Sequence, residues 1–97
     1  MSSITDKMLR LRVEWLNELT NSPLEPYTRN EAGQLKASIG NFHLSHANGG
    51  VCLHRMHNEA GGVSTPIISF HTTKLDLFDR INAFTDGIMF AYEHMMK

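Results

Sequence analysis

His46-Ala47-Asn48-Gly49-Gly50-Val51 is the stretch on which the fold turns. Asn-Gly is the strongest short signal for a β-hairpin, because both central residues of a type I′ turn need positive φ. With Asn48 and Gly49 at the tip, the register is fixed: Leu44 faces Leu53, His43 faces His54, Ser45 faces Cys52 and Phe42 faces Arg55. A second turn around Ala60-Gly61 then pairs Leu53 with Ile68, Val51 with Phe70 and Cys52 with Ser69. The two registers agree on one face, with Phe42, Leu44, Val51, Leu53, Ile68 and Phe70 all pointing the same way, as a period of two demands. The expectation is a three-stranded antiparallel meander. Upstream, Leu35, Ala37 and Ile39 alternate in the same manner, but Ile39 and Phe42 are out of phase by one; a bulge at Gly40-Asn41 restores the phase.

Helical periodicity flanks this core on both sides. Ser3 is placed to cap a first helix, with Asp6 in its first turn, and Ile4, Met8, Leu9, Leu11, Trp15, Leu16 and Leu19 share a broad apolar arc. Lys7, Arg10, Glu14, Asn17 and Glu18 fall opposite, while Arg12 sits inside the arc as a snorkelling stem. Pro23 stops this helix near Asn21, and Ser22–Tyr27, with its Pro23-x-x-Pro26 spacing, reads as a rigid connection. Thr28 to Glu31 has capping-box spacing and suggests a short helical turn, limited by Gly33. Thr73 caps a second helix, with Asp76 at the reciprocal position. Leu77, Phe78, Ile81, Phe84, Ile88, Met89, Tyr92, Met95 and Met96 lie in one arc that keeps its phase across Gly87. The fold expected is therefore α+β: helix, three-stranded meander, helix, in two layers with both helices on one sheet face.

A chain of 97 residues makes one domain, here residues 1–97. Its 41% hydrophobic and 20% charged residues are those of a globular protein rather than a disordered tail. A net charge of −1 supplies no field toward nucleic acid or acidic membrane. The single cysteine, Cys52, excludes an internal disulfide and a four-cysteine zinc site. No run approaches the roughly 18–20 apolar residues of a membrane span, and Met1 to Lys7 has no signal-peptide character, so a cytoplasmic location is expected.

Three groups of residues bear on function. The hairpin register sets His43 beside His54 with Cys52 one step along, on a face expected to be open; these are the candidates for a metal, although no carboxylate is placed to orient the imidazoles. No such carboxylate completes a nucleophilic set around Cys52 and His54 either, so neither an enzyme nor a cofactor is expected. The order helix, three strands, helix is also that of double-stranded-RNA-binding domains, but the second helix opens with one lysine, Lys74, followed by Asp76 and Asp79. Direct nucleic-acid binding is not expected. The third group is the outer face of the second helix. Asp79, Asp86 and Glu93 recur every seven residues, Asp76 stands beside them, and Phe90 is an aromatic among acids. Solvated charge accounts for most such stripes; an exposed aromatic points to contact with a partner.

Ile68-Ser69, Ile81, Ala83-Phe84, Gly87 and Tyr92-Glu93 together resemble the last-strand-plus-helix segment of small phage-encoded anti-CRISPR inhibitors of Cas9. The acidic loops of those inhibitors have no counterpart here, so the resemblance implies a class and not a target. It implies a phage protein that blocks a host nucleic-acid enzyme or defence complex, with Asp76, Asp79, Asp86, Phe90 and Glu93 as contact residues. Two other readings stand beside it. One is a metal- or nucleic-acid-binding module on the histidine face, and the other is a homodimer through Met89, Met95 and Met96.

Overall fold

A computed structural model describes residues 3–95; Met96, like Met1 and Ser2 of the N-terminal stretch, lies outside the described residues. The first helix, α1 (Asp6–Leu19), is capped by Thr5 rather than Ser3, the Thr5 hydroxyl accepting from the Met8 N–H at 3.2 Å. It ends in a Schellman turn: Ser22 N–H donates to Asn17 O at 2.8 Å and Asn21 N–H to Glu18 O at 3.2 Å, with Asn21 at φ 55°. Asparagine thus supplies the left-handed residue two positions before Pro23.

Residues 28–38 form no helical turn. They belong to a two-stranded ribbon of β1 (Tyr27–Arg29) and β2 (Leu35–Ala37). The turn between them is built on Asn30, whose side-chain oxygen accepts from the Gln34 N–H at 2.9 Å while its backbone N–H donates to Gln34 O at 2.9 Å. Thr28 is therefore a strand residue and caps nothing.

The main sheet has three antiparallel strands in the order β3 (Phe42–Ala47), β4 (Gly50–Met56) and β5 (Val63–Ser64). The β3–β4 register is the expected one at all four pairs, including Leu44↔Leu53 and His43↔His54. Asn48 (φ 52°) and Gly49 (φ 76°) provide the two left-handed residues at the tip. Gly50 matters for a different reason. A Cβ there would lie 3.0 Å from Thr72 O and 3.1 Å from His71 Cβ, so a side chain would push residues 71–72 back from β4 by a few tenths of an ångström. The bulge also forms: Gly40 N–H donates to Met56 O and Met56 N–H to Asn41 O, two residues against one.

The third strand departs from expectation. β5 pairs Arg55↔Ser64 and Met56↔Val63, and the pairing resumes only at a single bridge, Val51↔Thr72. Pro66 lies between these points and has no N–H for a ladder bond. The intervening residues leave the sheet plane instead. Phe70, expected in the core, is 58% exposed, and residues 65–71 pass over the second face of the hairpin.

The core draws Leu9, Val13 and Leu16 from α1, Phe42, Val51 and Leu53 from β3 and β4, and Leu77 and Ile81 from α2 (Lys74–Met95). The buried side of α1 keeps Leu9 and Leu16 of the expected arc but is rotated from its centre. Val13 and Asn17 are buried, whereas Met8, Leu11 and Trp15 are exposed and line a shallow surface hollow with Arg12 and Phe78. Arg12 lays its guanidinium 5.5 Å from the centre of the Phe78 ring. Asn17 is inside because it is the strand's partner: its Nδ2 donates to Phe42 O at 2.9 Å and its Oδ1 accepts from Phe42 N–H at 2.8 Å. Asp6 ties three elements together at the surface, with His46 at 3.3 Å and Lys74 at 3.5 Å.

Candidate functional site

The second helix begins as expected, with Thr73 Oγ1 accepting from the Asp76 N–H at 3.1 Å. The Asp76 carboxylate does not complete a capping box. It accepts from Thr72 Oγ1 at 2.9 Å and from Arg80 Nε at 2.8 Å, and the bond from Arg80 is the main cause of a pKa below the ordinary carboxylate value. Asp76 is thus spoken for at the start of the helix, while Asp79, Asp86 and Glu93 form no ion pair among the described residues.

Beyond Ile88 the helix leaves the core behind. Every residue from Met89 to Met95 is exposed, including Phe90 at 62% and Met95 at 79%. The geometry follows from element lengths. A helix of 22 residues is about 33 Å long, whereas the longest strand, of seven residues, spans about 23 Å. The overhang of about 10 Å is the last two turns. Phe90 stands at its outer side with the His94 ring edge-on at 4.2 Å. Met89, Tyr92 and Met95, expected in the core arc, join Phe90 as exposed apolar surface. The sequence signal for this was the arc continuing past the length that the strands could cover.

The histidine face is arranged differently from expectation. His43 and His54 do lie side by side, their ring centres 5.8 Å apart, but the segment 65–71 covers much of the face and brings in His71, 6.3 Å from His54. Cys52 is buried at 1% exposure, and its thiol points to Ile68 O at 3.4 Å. Burial pushes that thiol up, away from the thiolate that a metal or a nucleophilic step requires. His43 and His54 are both held below the ordinary imidazole value, first by burial and then by a neighbouring imidazole. Among the described residues no three His, Cys, Asp or Glu side chains sit close enough to share a metal ion. Ser45 Oγ and His71 Nε2 are 3.0 Å apart, a pairing the sequence does not disclose because Ile68–Phe70 alternates as a paired strand would. No carboxylate orients His71 among the described residues, so the hydrogen bond fastens the covering segment to β3.

Lys74, the one cation at the start of α2 that could meet a phosphate, is paired with Asp6. No helix among the described residues is long and apolar enough to cross a membrane. Compared with protein families, with curated proteins and with solved structures, the chain has no match in any of the three.

Proposed function

We propose that this is a non-enzymatic interaction protein that engages a partner through the overhanging end of α2. In this reading both helices form one layer over the face of Phe42, Val51 and Leu53, and the helix end is left free for contact. The observation that carries it is the exposure of Met89, Phe90, Tyr92 and Met95 on two helical turns that no other element covers. Scattered apolar residues on a surface are ordinary, but Met89, Tyr92 and Met95 share one side of these two turns with Phe90 on the outer side, and an apolar concentration of this kind marks interfaces. Asp79, Asp86 and Glu93 give the same helix an acidic flank, suited to a basic groove that otherwise holds nucleic acid. Together with the resemblance of the α2 region to small phage inhibitors, this favours a host nucleic-acid-handling protein or defence complex as the partner, blocked by occupation of its groove. The reading requires no cofactor.

The test is affinity capture from bacterial lysate, with and without nuclease, read by mass spectrometry for wild type and for Phe90→Ala combined with Asp86→Lys. One stoichiometric protein, indifferent to nuclease and lost with the double variant, is the expected result. Retention by the double variant refutes the α2 surface, and loss of every partner on nuclease treatment moves the weight to nucleic-acid binding. Met89 and Met95 also suit a homodimer across the same surface, which light scattering on the purified protein distinguishes.

A further inference from the structure

We infer that the outer edge of β3, at Leu44 and His46, is a docking site for an extended peptide of a partner protein, which adds to the sheet as a further strand. This surface is separate from the end of α2.

In a hairpin closed by a two-residue turn, the residues flanking the turn form a hydrogen-bonded pair, and so does every second pair after it. Here those pairs are Ala47 with Gly50, Ser45 with Cys52 and His43 with His54. The residues between them, Phe42, Leu44 and His46, turn their N–H and C=O groups away from β4. Two contacts bear this parity out. Asn17 takes both backbone groups of Phe42 from outside the sheet. Across the hairpin Val51, opposite His46, bonds outward to Thr72 through both of its groups at 2.8 Å.

β3 is an edge strand, and Asn17 covers only its first outward rung. The next two rungs, at Leu44 and His46, have no hydrogen-bond partner among the described residues. Both residues line a groove of about 440 Å³ between β3, the flank of α1 at Arg10 and Glu14, and the connection at Leu24. That volume is within the range of ligand clefts, about 300–1,000 Å³.

The occupant follows from spacing. Two donor–acceptor rungs about 7 Å apart, each with an N–H and a C=O, match the backbone of another strand. Natural edges are ordinarily blunted by charge, proline or a covering element, and here the cover stops after one rung. The Asn17 carboxamide already behaves as the last residue of such a strand, so it fixes where a peptide must end. Val13, Leu24 and Leu44 form an apolar wall on the face of Leu44, which selects an aliphatic or aromatic side chain at the peptide residue beside Leu44. Arg10 stands against two carboxylates, Glu14 and Glu25, so the rim carries both signs of charge with an acidic excess and disfavours an acidic peptide.

Amide hydrogen exchange on the free protein is the first arm. Leu44 and His46 exchange fast, while Phe42, His43 and Ser45 are protected. A phage-displayed library of linear peptides then supplies the probe, and addition of the best synthetic peptide shifts the amide resonances of Leu44 and His46. His46→Pro, which removes one outward N–H and leaves the ladder to β4 intact, weakens binding roughly tenfold, whereas His46→Ala keeps binding within about threefold. N-methylation of the peptide residue facing His46 weakens binding to the unaltered protein as much, so the result does not hang on one variant folding. The peptide also binds the Phe90→Ala, Asp86→Lys protein, which separates this site from the α2 surface. Slow exchange at Leu44 and His46 in the free protein, no enriched peptide, a peptide indifferent to N-methylation, or shifts confined to residues 89–95 would each overturn the inference. So would a dimer that His46→Pro dissociates, since the occupant would then be a second copy.

Discussion

Replacing Asn17 by alanine strips the two hydrogen bonds that Phe42 makes outside the sheet, one accepted by its C=O and one donated by its N–H, and leaves both groups buried without partners. An unsatisfied buried group costs about 1–3 kcal/mol, so Asn17→Ala is expected to lower stability by about 3 kcal/mol in urea unfolding. A change under 0.5 kcal/mol, ordinary for a surface site, would mean that water replaces the amide. Hydropathy placed Asn17 on the solvent side of α1, and nothing in a hydropathy pattern distinguishes a polar side chain facing water from one facing a strand's backbone. His43 and His54 set a second prediction at this scale. Both are held below the ordinary value of 6.5, so the unfolded chain binds protons there more readily than the folded one. Their contribution is intact above about pH 6.5 and is lost as pH falls below it. The urea midpoint should therefore drop between about pH 7.5 and pH 5.5, and His54→Gln should flatten the drop. Asp6 and Asp76 act in another window. Their lowered values, caused chiefly by hydrogen bonds from His46 and Arg80, favour the fold above 3.8 and cease to do so only as pH falls through the lower folded values.

At the scale of elements, the parts of the fold that the sequence disclosed are those dictated by local chemistry. Asn48-Gly49 selects its turn type, the turn type fixes the register, and so the β3–β4 pairing was legible residue by residue. Thr73 as the cap of α2 was legible in the same way. The third strand was not, because Ile68–Phe70 alternates as a strand would, and only Pro66 two residues earlier warned that the ladder was broken. Nor was the β1–β2 ribbon, whose turn on Asn30 uses a polar spacing close to that of a capping box. Gly87 tests the continuity of α2. A Cβ there meets nothing within 4 Å, so Gly87→Ala should stabilise the protein by about 1 kcal/mol, read as a raised unfolding midpoint. Destabilisation would mean that the helix bends or is overlain at that point.

The whole molecule is more open than its length requires. Its radius of gyration is 14.5 Å, against about 12.5 Å for a compact domain of this size, and it measures 47 × 44 × 22 Å. The α2 overhang is one contributor, and it gives a further prediction: removing residues 89–97 should change unfolding free energy by less than about 1 kcal/mol, because no core residue lies among the described residues 89–95. If the truncated chain fails to unfold cooperatively, the helix end is structural and not a contact surface. The candidate site was half legible at this scale. Phe90 and the acidic residues could be placed on the outer face by periodicity alone, but the exposure of Met89, Tyr92 and Met95 depends on where the strands end.

The cover that Asn17 gives the edge of β3 also has an order in time. On the ribosome α1 is synthesised before β3, so the element that shields the edge exists when the edge first forms. Refolding from denaturant has no such order. A hairpin with a two-residue turn forms from local contacts alone, whereas the Asn17–Phe42 contact needs α1 already helical and docked across a separation of 25 residues. During that interval all three outward rungs are bare, and chains can pair edge to edge. Refolding yield should fall as protein concentration rises, and it should fall further for Asn17→Ala than its loss of stability alone accounts for.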